Sequence, residues 1–245
     1  MKRKKLVISE SSTVRQACEF YFNTPAYLSV SGQSQKDYYA AMIHACNTSL
    51  HNNRLFGNVK LKHVKFKHAT YLYDTWLADK GVRRSNYHAT CMSIVFNTAI
   101  RHEAMVSNPM SLIKRSKPHA RKVKWSEQQV KLFLDTAFSQ YRWRSIGLIF
   151  HMSYEWGQRL GDMRTLQWSN INFEDKKLDL EQSKRRADVH LPIGDDLLKQ
   201  LQVQHSDFHT LSDCVAPRVY PRNGKYSTYK MAEISGLVNE VKEES

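Results

Sequence analysis

The feature that most constrains the fold is a basic segment from Lys114 to Lys124, which contains six cations, one proline and no carboxylate. The segment follows Asn108-Pro109, where the proline pushes the residue before it out of helical geometry and so ends a helix. A chain of 245 residues is also longer than one typical domain. We therefore expect a basic arm at residues 1–10, a first domain at 11–113, a linker at 114–124 and a second domain at 125–245.

Hydrophobic periodicity gives the expected fold class. Apolar residues at helical spacing predict helices at 13–22, 35–50, 69–80, 87–105, 127–138, 145–155, 159–168 and 195–204. Before the last helix the pattern changes to short runs separated by charged turns, which predict a three-stranded antiparallel meander at 171–173, 178–181 and 189–193. The chain is therefore expected to be mainly α with a small antiparallel β meander, in a helical domain followed by an α+β domain.

The net charge of +14 and the pI near 9.6 indicate a polyanionic partner. Nucleic acid is the favoured class, although a chain can also be basic only for solubility. The linker is either a strap along a phosphate backbone, whose contacts would be sensitive to salt, or a solvated hinge. The same alternatives apply to residues 2–5 and 60–67. The candidate DNA-binding residues are Lys114, Arg115, Lys117, Arg121, Lys122 and Lys124.

The cysteines and the apolar segments of the sequence indicate the cellular compartment in which the protein is expected. The four cysteines are widely spaced and form no Cys-x-x-Cys pair, so neither a zinc site nor a disulfide framework is expected. The sequence contains neither a recognisable signal peptide nor a long uncharged apolar segment. We therefore expect a cytoplasmic protein without a membrane partner.

One stretch carries a specific pattern of residues. From Trp156 to Trp168 the sequence reads Trp-Gly-Gln-Arg-Leu-Gly-Asp-Met-Arg-Thr-Leu-Gln-Trp. It resembles the first catalytic box of the tyrosine recombinases, the phage integrase family, whose pattern is roughly Thr-Gly-x-Arg-x-Gly-Glu-x-x-x-Leu-x-Trp. The resemblance implies that Arg159 binds the scissile phosphate, where a guanidinium stays charged and offers a rigid fork of donors. Asp162, one turn further on, is expected to orient Arg159. Without the resemblance, an arginine on an amphipathic helix is usually a solvated surface group.

A second match follows in the order that the family requires. Gln182-Ser-Lys184 resembles the Gln-Ser-Lys of the family's β-hairpin, and Leu191-Pro-Ile193 resembles its closing Val-Pro-Leu. In the family this lysine donates a proton to the leaving 5′ oxygen, so Lys184 is the implied general acid. Arg185 and Arg186 are its competitors.

The resemblance also implies a mechanism and partners. A family member is a site-specific recombinase, or integrase, of a phage or mobile element, with a helical core-binding domain and a catalytic domain that hold double-stranded DNA. It cleaves and rejoins DNA strands through a 3′-phosphotyrosyl intermediate, works as a tetramer on DNA and needs no metal or nucleotide cofactor.

The sequence departs from the family pattern in several places. Trp156 and Asp162 replace the usual Thr and Glu. No His-x-x-Arg follows Lys184, because the chain's one such motif, His51-Asn-Asn-Arg54, comes before Arg159. We therefore expect a chain without the C-terminal catalytic segment, and one that is inactive by itself.

Alternatives remain for the identity of the nucleophile and for the overall function. Tyr220, Tyr226 and Tyr229 are poor nucleophile candidates, because they precede the expected position of the missing motif. Besides a recombinase, the chain is compatible with a non-catalytic DNA-binding protein that occupies recombination sites, or with an unrelated basic helical protein such as an RNA-binding or assembly factor. A metal nuclease is disfavoured, because the sequence has no carboxylate and histidine cluster at ligand spacing.

Overall fold

The computed structural model describes residues 7–51, 53–120, 122, 124–184 and 186–245. The chain divides into two compact units, which we call unit 1, Met1–Arg121, and unit 2, Lys122–Ser245. The division falls inside the segment predicted as the linker. Most of the predicted basic arm, the linker cation Arg121 and the hairpin cation Arg185 lie outside the described residues.

Unit 1 is helical. Its helices are α1 (Val14–Phe22), α2 (Pro25–Leu28), α3 (Gly32–Asn47) and α4 (Phe66–Arg101), with 3₁₀ turns at Phe56–Asn58, Leu61–His63 and Pro109–Leu112. Hydroxyl groups cap three of the helices, Thr13 at α1, Thr24 at α2 and Ser31 at α3. Helix α3 therefore begins before the predicted residue 35. The large side chains of Phe56, Trp76 and Phe96 are fully buried in one core cluster.

The two helices predicted at residues 69–80 and 87–105 are two helical segments of α4 in the structure, and a kink separates them. Helix α4 changes direction at Gly81, whose φ of 70° and ψ of 171° are not helical. Only glycine occupies this region readily, because a side chain would clash with the backbone. The Ser85 hydroxyl donates a hydrogen bond to the Gly81 carbonyl at 2.9 Å, so this carbonyl has a hydrogen-bond partner at the kink.

Two of the widely spaced cysteines meet in the core of unit 1. The Sγ atoms of Cys18 in α1 and Cys46 in α3 are 3.7 Å apart, and both residues are fully buried free thiols. Gly57 packs so closely on α3 that an added Cβ would lie 2.9 Å from the Cys46 Cβ. The contact between α1, α3 and the 3₁₀ turn therefore depends on small side chains at these positions.

Unit 2 combines helices with the predicted meander. Its elements are α5 (Glu127–Ser139), α6 (Arg144–Trp156), α7 (Leu160–Arg164), β1 (Ile171–Asn172), β2 (Lys177–Glu181), β3 (Asp188–Pro192), α8 (Asp195–Phe208) and α9 (Met231–Glu244). The strand order is β1-β2-β3 and both pairs are antiparallel. Leu178 in the central strand lies opposite Ile171 and Leu191. The predicted fold class, mainly α with a small antiparallel meander, is confirmed.

The core of unit 2 lies where the helices meet the sheet. Met152 of α6, Met163 of α7, Leu178 of β2 and Leu197 of α8 are fully buried in the same cluster. This packing fixes α7 against the sheet, as expected for a short helix whose stability comes from tertiary contacts. Within the residues described, no helix is long and apolar enough to span a membrane.

The predicted helix from residue 159 to residue 168 is wrong in its extent. Helix α7 ends at Arg164. The chain beyond it pairs with a distant segment instead. The Val215 amide donates to the Leu166 carbonyl at 2.9 Å, so this carbonyl has a hydrogen-bond donor although it is not in a helix. Arg159 consequently stands just before a short helix, as its N-cap residue.

Replacing Gly81 by alanine should destabilise unit 1 by about 1–3 kcal/mol, because an alanine in the Gly81 conformation is strained. Amide hydrogen exchange in α4 measures the change in opening free energy. The matched control is Gly32→Ala in α3, where an added Cβ meets nothing within 4 Å and the expected change is within about 1 kcal/mol. Equal protection of α4 in the wild type and the Gly81→Ala variant would contradict the assignment of strain to this kink.

Candidate functional site

The candidate site begins where helix α6 ends. Gly157 terminates α6 in the left-handed conformation, with φ 60°, which glycine adopts without a steric penalty. The indole Nε1 of Trp156 donates to the Pro192 carbonyl at 3.0 Å, and the Glu155 carboxylate accepts a hydrogen bond from the Gly194 amide at 2.7 Å. Trp156, which stands in place of the family's Thr, therefore attaches the end of α6 to the end of β3.

Arg159 and Asp162 face each other across the first turn of α7. The Nη1 atom of Arg159 lies 3.6 Å from Oδ2 of Asp162, whose side chain is only 3% exposed. This oxygen has no hydrogen-bond partner among the described residues. The Arg159 side chain is 37% exposed. The buried carboxylate thus attracts the guanidinium from within the unit, and the guanidinium keeps a solvent-accessible side for an anion.

A relay of side-chain amides joins Arg159 to the β2–β3 hairpin. The Arg159 Nη1 donates to Oε1 of Gln182 at 3.3 Å, and the Gln182 Nε2 donates to Oε1 of Gln158 at 2.7 Å. The Gln158 Nε2 in turn donates to the Trp156 carbonyl at 3.1 Å. A guanidinium can only donate and a backbone carbonyl can only accept, so the orientation of both amides is fixed from the two ends of the relay.

The hairpin that Gln182 begins carries Lys184 in its turn. The backbone N–H of Gln182 donates to the backbone carbonyl of Ala187 at 2.9 Å. The backbone N–H of Arg186 donates to the backbone carbonyl of Gln182, also at 2.9 Å. Lys184 is exposed and forms no hydrogen bond or ion pair within the part of the chain that the structure describes. The structure thus brings the hairpin base, two residues before Lys184, into contact with Arg159.

Of the two competitors of Lys184, the structure describes Arg186, and this residue already forms an ion pair. Arg186 adopts φ 52°, and its guanidinium lies 3.2 Å from the Glu181 carboxylate at the end of β2. A guanidinium is also a poor proton donor, because arginine is not deprotonated in proteins. Lys184 remains the better candidate for proton transfer on both grounds.

The tyrosines of unit 2 occupy different environments. Tyr229 is buried, its hydroxyl accepts a hydrogen bond from the Val219 amide at 3.2 Å, and burial raises its pKa. Tyr226 packs its ring on Phe208 with centroids 5.6 Å apart. Tyr220 is 70% exposed. Tyr229 is therefore a core residue, held in its protonated form at neutral pH.

The basic linker is attached to helix α4 of unit 1 through Ser116 and Arg115. The Ser116 amide donates to the Tyr73 hydroxyl at 2.8 Å, and the Asn86 side-chain amide donates to the Ser116 carbonyl at 2.9 Å. Since Tyr73 and Asn86 lie on opposite sides of Gly81, this attachment spans the kink of α4. Arg115 also donates to the Thr90 hydroxyl at 2.7 Å. The exposed linker cations are Lys114, Arg115, Lys117, Lys122 and Lys124.

Sequence reasoning missed the roles of Gln158 and Gln182. Gln182 forms part of the Gln-Ser-Lys match, and Gln158 lies beside Arg159, but they are 24 residues apart. No periodic pattern reports a contact between two isolated amides at such a separation. The cue available in the sequence was that both residues adjoin a candidate catalytic cation.

The relay predicts an energetic coupling between Gln158 and Gln182. In a double-mutant cycle, Gln158→Ala and Gln182→Ala should couple by about 0.5–1.5 kcal/mol, the net value of a side-chain hydrogen bond. Urea unfolding followed by tryptophan fluorescence reports on unit 2, because four of the five tryptophans lie there. The control pairs Gln182→Ala with Gln202→Ala on an exposed part of α8, and these should be additive. Additivity of the first pair as well would refute the relay.

Comparisons with known proteins show which family and which folds the chain is similar to. Residues 125–240 match the model of the phage integrase family. The fold is similar to a lambda integrase dimer bound to a COC′ core site, with a TM-score of 0.76, 15% identity, and coverage of 96% of this chain and 64% of that chain. It is also similar to a lambda integrase tetramer bound to a Holliday junction, with a TM-score of 0.75, 16% identity, and coverage of 96% and 66%.

A third similar structure is the Tn1549 transposon integrase in complex with circular intermediate DNA, with a TM-score of 0.70, 16% identity, and coverage of 96% of this chain and 80% of that chain. No curated protein sequence matches the chain. The chain spans 64% and 66% of the length of the two lambda integrase chains, and identities this low show a shared fold alone. The family match covers most of unit 2 and contains both Arg159 and Lys184. Residues 125–240 therefore match the phage integrase family of tyrosine recombinases, and the chain shares the fold of the solved integrases.

Proposed function

We propose that the chain is a DNA-binding part of a site-specific recombinase that cleaves and rejoins strands through a 3′-phosphotyrosyl intermediate. The observation that carries the proposal is the hydrogen bond between Arg159 and Gln182. This bond connects the box arginine to the hairpin of Lys184, the two cations that the family resemblance assigns to the reaction. The family match over residues 125–240 gives independent support.

In this mechanism Arg159 binds the scissile phosphate. Its guanidinium would donate to the two non-bridging oxygens, and it would stay charged while negative charge accumulates on the phosphorane. Asp162, at 3.6 Å from Nη1, would act as a positioning residue by attracting the guanidinium from the buried side. Its contact and that of Gln182 both involve Nη1, and the donors on Nη2 and Nε form no hydrogen bond in the described structure, so they are left for the phosphate.

Lys184 would supply the proton that the leaving group needs. A tyrosine hydroxyl gives its proton to solvent and its oxygen attacks the phosphorus, while the bond between phosphorus and the 5′ oxygen breaks. The 5′ oxygen takes a proton from the Lys184 ammonium, and the resulting amine regains a proton from solvent. In the reverse step a 5′ hydroxyl of a partner duplex attacks the phosphotyrosine. The phosphodiester energy is kept in the covalent intermediate, so the cycle requires neither a nucleotide nor a metal cofactor.

We do not assign the nucleophile to the tyrosines of residues 220–229. Tyr229 is buried and hydrogen-bonded through its hydroxyl, and no contact with the Arg159 relay involves Tyr220 or Tyr226 in the described structure. A second function is favoured by one observation: the sequence from residue 185 to Ser245 contains no His-x-x-Arg. Residues 1–245 would then form a non-catalytic DNA-binding protein that occupies recombination sites.

We propose that double-stranded DNA is the partner in either case. The exposed linker cations Lys114, Arg115, Lys117, Lys122 and Lys124 would contact backbone phosphates, as would Arg121. Each contacted phosphate releases condensed counterions and makes the affinity sensitive to salt. The similar lambda integrase structures are bound to DNA, one of them as a tetramer on a Holliday junction. We extend both the DNA partner and the tetramer on DNA to this chain as proposals, with the reaction taking place in the host cytoplasm.

The experiment is a titration of a labelled DNA duplex at several salt concentrations, read by fluorescence anisotropy. Replacing Arg159 by alanine should weaken binding about tenfold and lower the salt slope by about one phosphate contact. The matched control is Arg142→Ala, because Arg142 is an exposed arginine of the same unit that is paired with Glu240. This control should bind within about twofold of the wild type. A wild-type protein that does not bind the duplex, or equal losses in both variants, would overturn the proposal.

A further inference from the structure

A short turn protrudes from unit 2 between α8 and α9. Residues 220–225, Tyr-Pro-Arg-Asn-Gly-Lys, are all exposed, whereas residues 215–217 before them are buried. Arg222 and Lys225 pair in an antiparallel bridge, and the two residues between them, Asn223 and Gly224, have φ 54° and φ 71°. Positive φ at both central positions is typical of a type I′ turn, for which Asn-Gly is the favoured sequence. We call this element the 220–225 turn.

The base of the 220–225 turn is held by the interior of the unit. The Arg218 amide donates to the Ser227 carbonyl at 2.8 Å, and the Val219 amide donates to the buried Tyr229 hydroxyl at 3.2 Å. A protruding turn on such a base keeps its shape, because the chain segments before and after it are joined by a backbone hydrogen bond and by the buried side chain of Tyr229.

The base is also attached to the helix that follows Arg159. The Arg164 Nη1 in α7 donates to the Thr228 hydroxyl at 3.2 Å and to the Tyr229 carbonyl at 2.7 Å. Arg164 is five residues after Arg159, a rise of about 7.5 Å along a helix. The base of the 220–225 turn and the candidate phosphate site are thus attached to the same short helix.

The charge of the turn is positive and accessible. Its sequence contains two cations and no carboxylate. The Arg222 guanidinium lies 3.2 Å from the Glu233 carboxylate and its side chain remains 65% exposed. Glu233 is shared, since Arg218 also lies 2.9 Å from it. Lys225 forms no side-chain hydrogen bond or ion pair in the described structure. One carboxylate therefore serves two arginines, and the turn keeps a net positive charge.

We infer that the 220–225 turn is a second DNA contact of unit 2. Arg222 and Lys225 would bind backbone phosphates of the same duplex that has its scissile phosphate bound at Arg159. The inference rests on the proposed function and adds a binding element to it. A cross-strand pair of cations on a preformed turn binds a polyanion at a low entropic cost, because the backbone is already ordered. The exposed Tyr220 at the start of the turn offers a hydroxyl and a ring to the sugar-phosphate surface.

The test compares two double variants with equal charge in the duplex titration. Arg222→Ala with Lys225→Ala removes the turn cations. Lys176→Ala with Lys199→Ala removes two exposed lysines of unit 2 that are paired with Asp195 and Asp196. The turn variant should lower the salt slope by about two and weaken binding at least about tenfold, whereas the control should change the slope by less than about one. Circular dichroism checks that both variants are folded.

The outcomes separate the two proposals. If the wild type binds the duplex and the turn variant behaves like the control, the turn is not a contact and the proposed function stands. If the wild type itself does not bind, the proposed function fails first. A photoreactive phenylalanine derivative provides a second measurement, with crosslinking to the duplex expected from position 220 and not from the exposed position 203 of α8. Equal crosslinking from both positions would also overturn the inference.

Discussion

The hydrogen-bond relay from Arg159 through Gln182 and Gln158 to the Trp156 carbonyl is the interaction on which the candidate site depends. It joins a loop after α6 to a hairpin that begins 23 residues later along the chain. The relay member that Arg159 donates to, Gln182, is neutral, so this hydrogen bond holds the guanidinium in place without pairing it with a carboxylate. The nearest carboxylate, that of Asp162, stays at 3.6 Å. An arginine positioned in this way has a fixed direction and unused donors, which is what recognition of a phosphate requires.

Helix α7 connects this relay to the rest of unit 2. Its N-cap residue Arg159 reaches the hairpin, Met163 is fully buried in the core, and Arg164 holds the segment that precedes α9. The Nε atom of Arg164 is buried without a partner in the described structure, and no ion pair compensates the guanidinium there. Burial of a charged group on these terms is costly. The two Nη1 hydrogen bonds to residues 228 and 229 are the compensation that the structure provides.

Local signals predicted much of the fold from the sequence. Helices α1 and α5 begin within a residue of their predicted starts, because Thr13 and Ser126 cap them through contacts only three residues away. Features that depend on distant partners were not predictable in this way. The extension of α7 to residue 168 failed because the Leu166 carbonyl accepts a hydrogen bond from the Val215 amide. The two helical segments predicted on either side of Gly81 are present, and the kink between them has a local cause, the non-helical backbone of Gly81.

The same division applies to the candidate site. Residue types and their order selected Arg159, Asp162 and Lys184, because a family pattern is written in the sequence itself. The contacts of Gln158 and Gln182 depend on where the β2–β3 hairpin packs, which no local pattern encodes. The pairing of Arg186 with Glu181 likewise depends on the backbone of the turn, which the family pattern does not describe.

The most direct test of the central claim is nuclear magnetic resonance of the arginine side chains in the whole chain as the DNA duplex is added. The Nε–Hε signal of Arg159, assigned through its loss in the Arg159→Lys variant, should shift on binding, since the guanidinium would exchange solvent for phosphate oxygens. The signal of Arg142, which is paired with Glu240, should stay in place. A duplex that binds and leaves the Arg159 signal unchanged would contradict the assignment of Arg159 as the phosphate-binding residue.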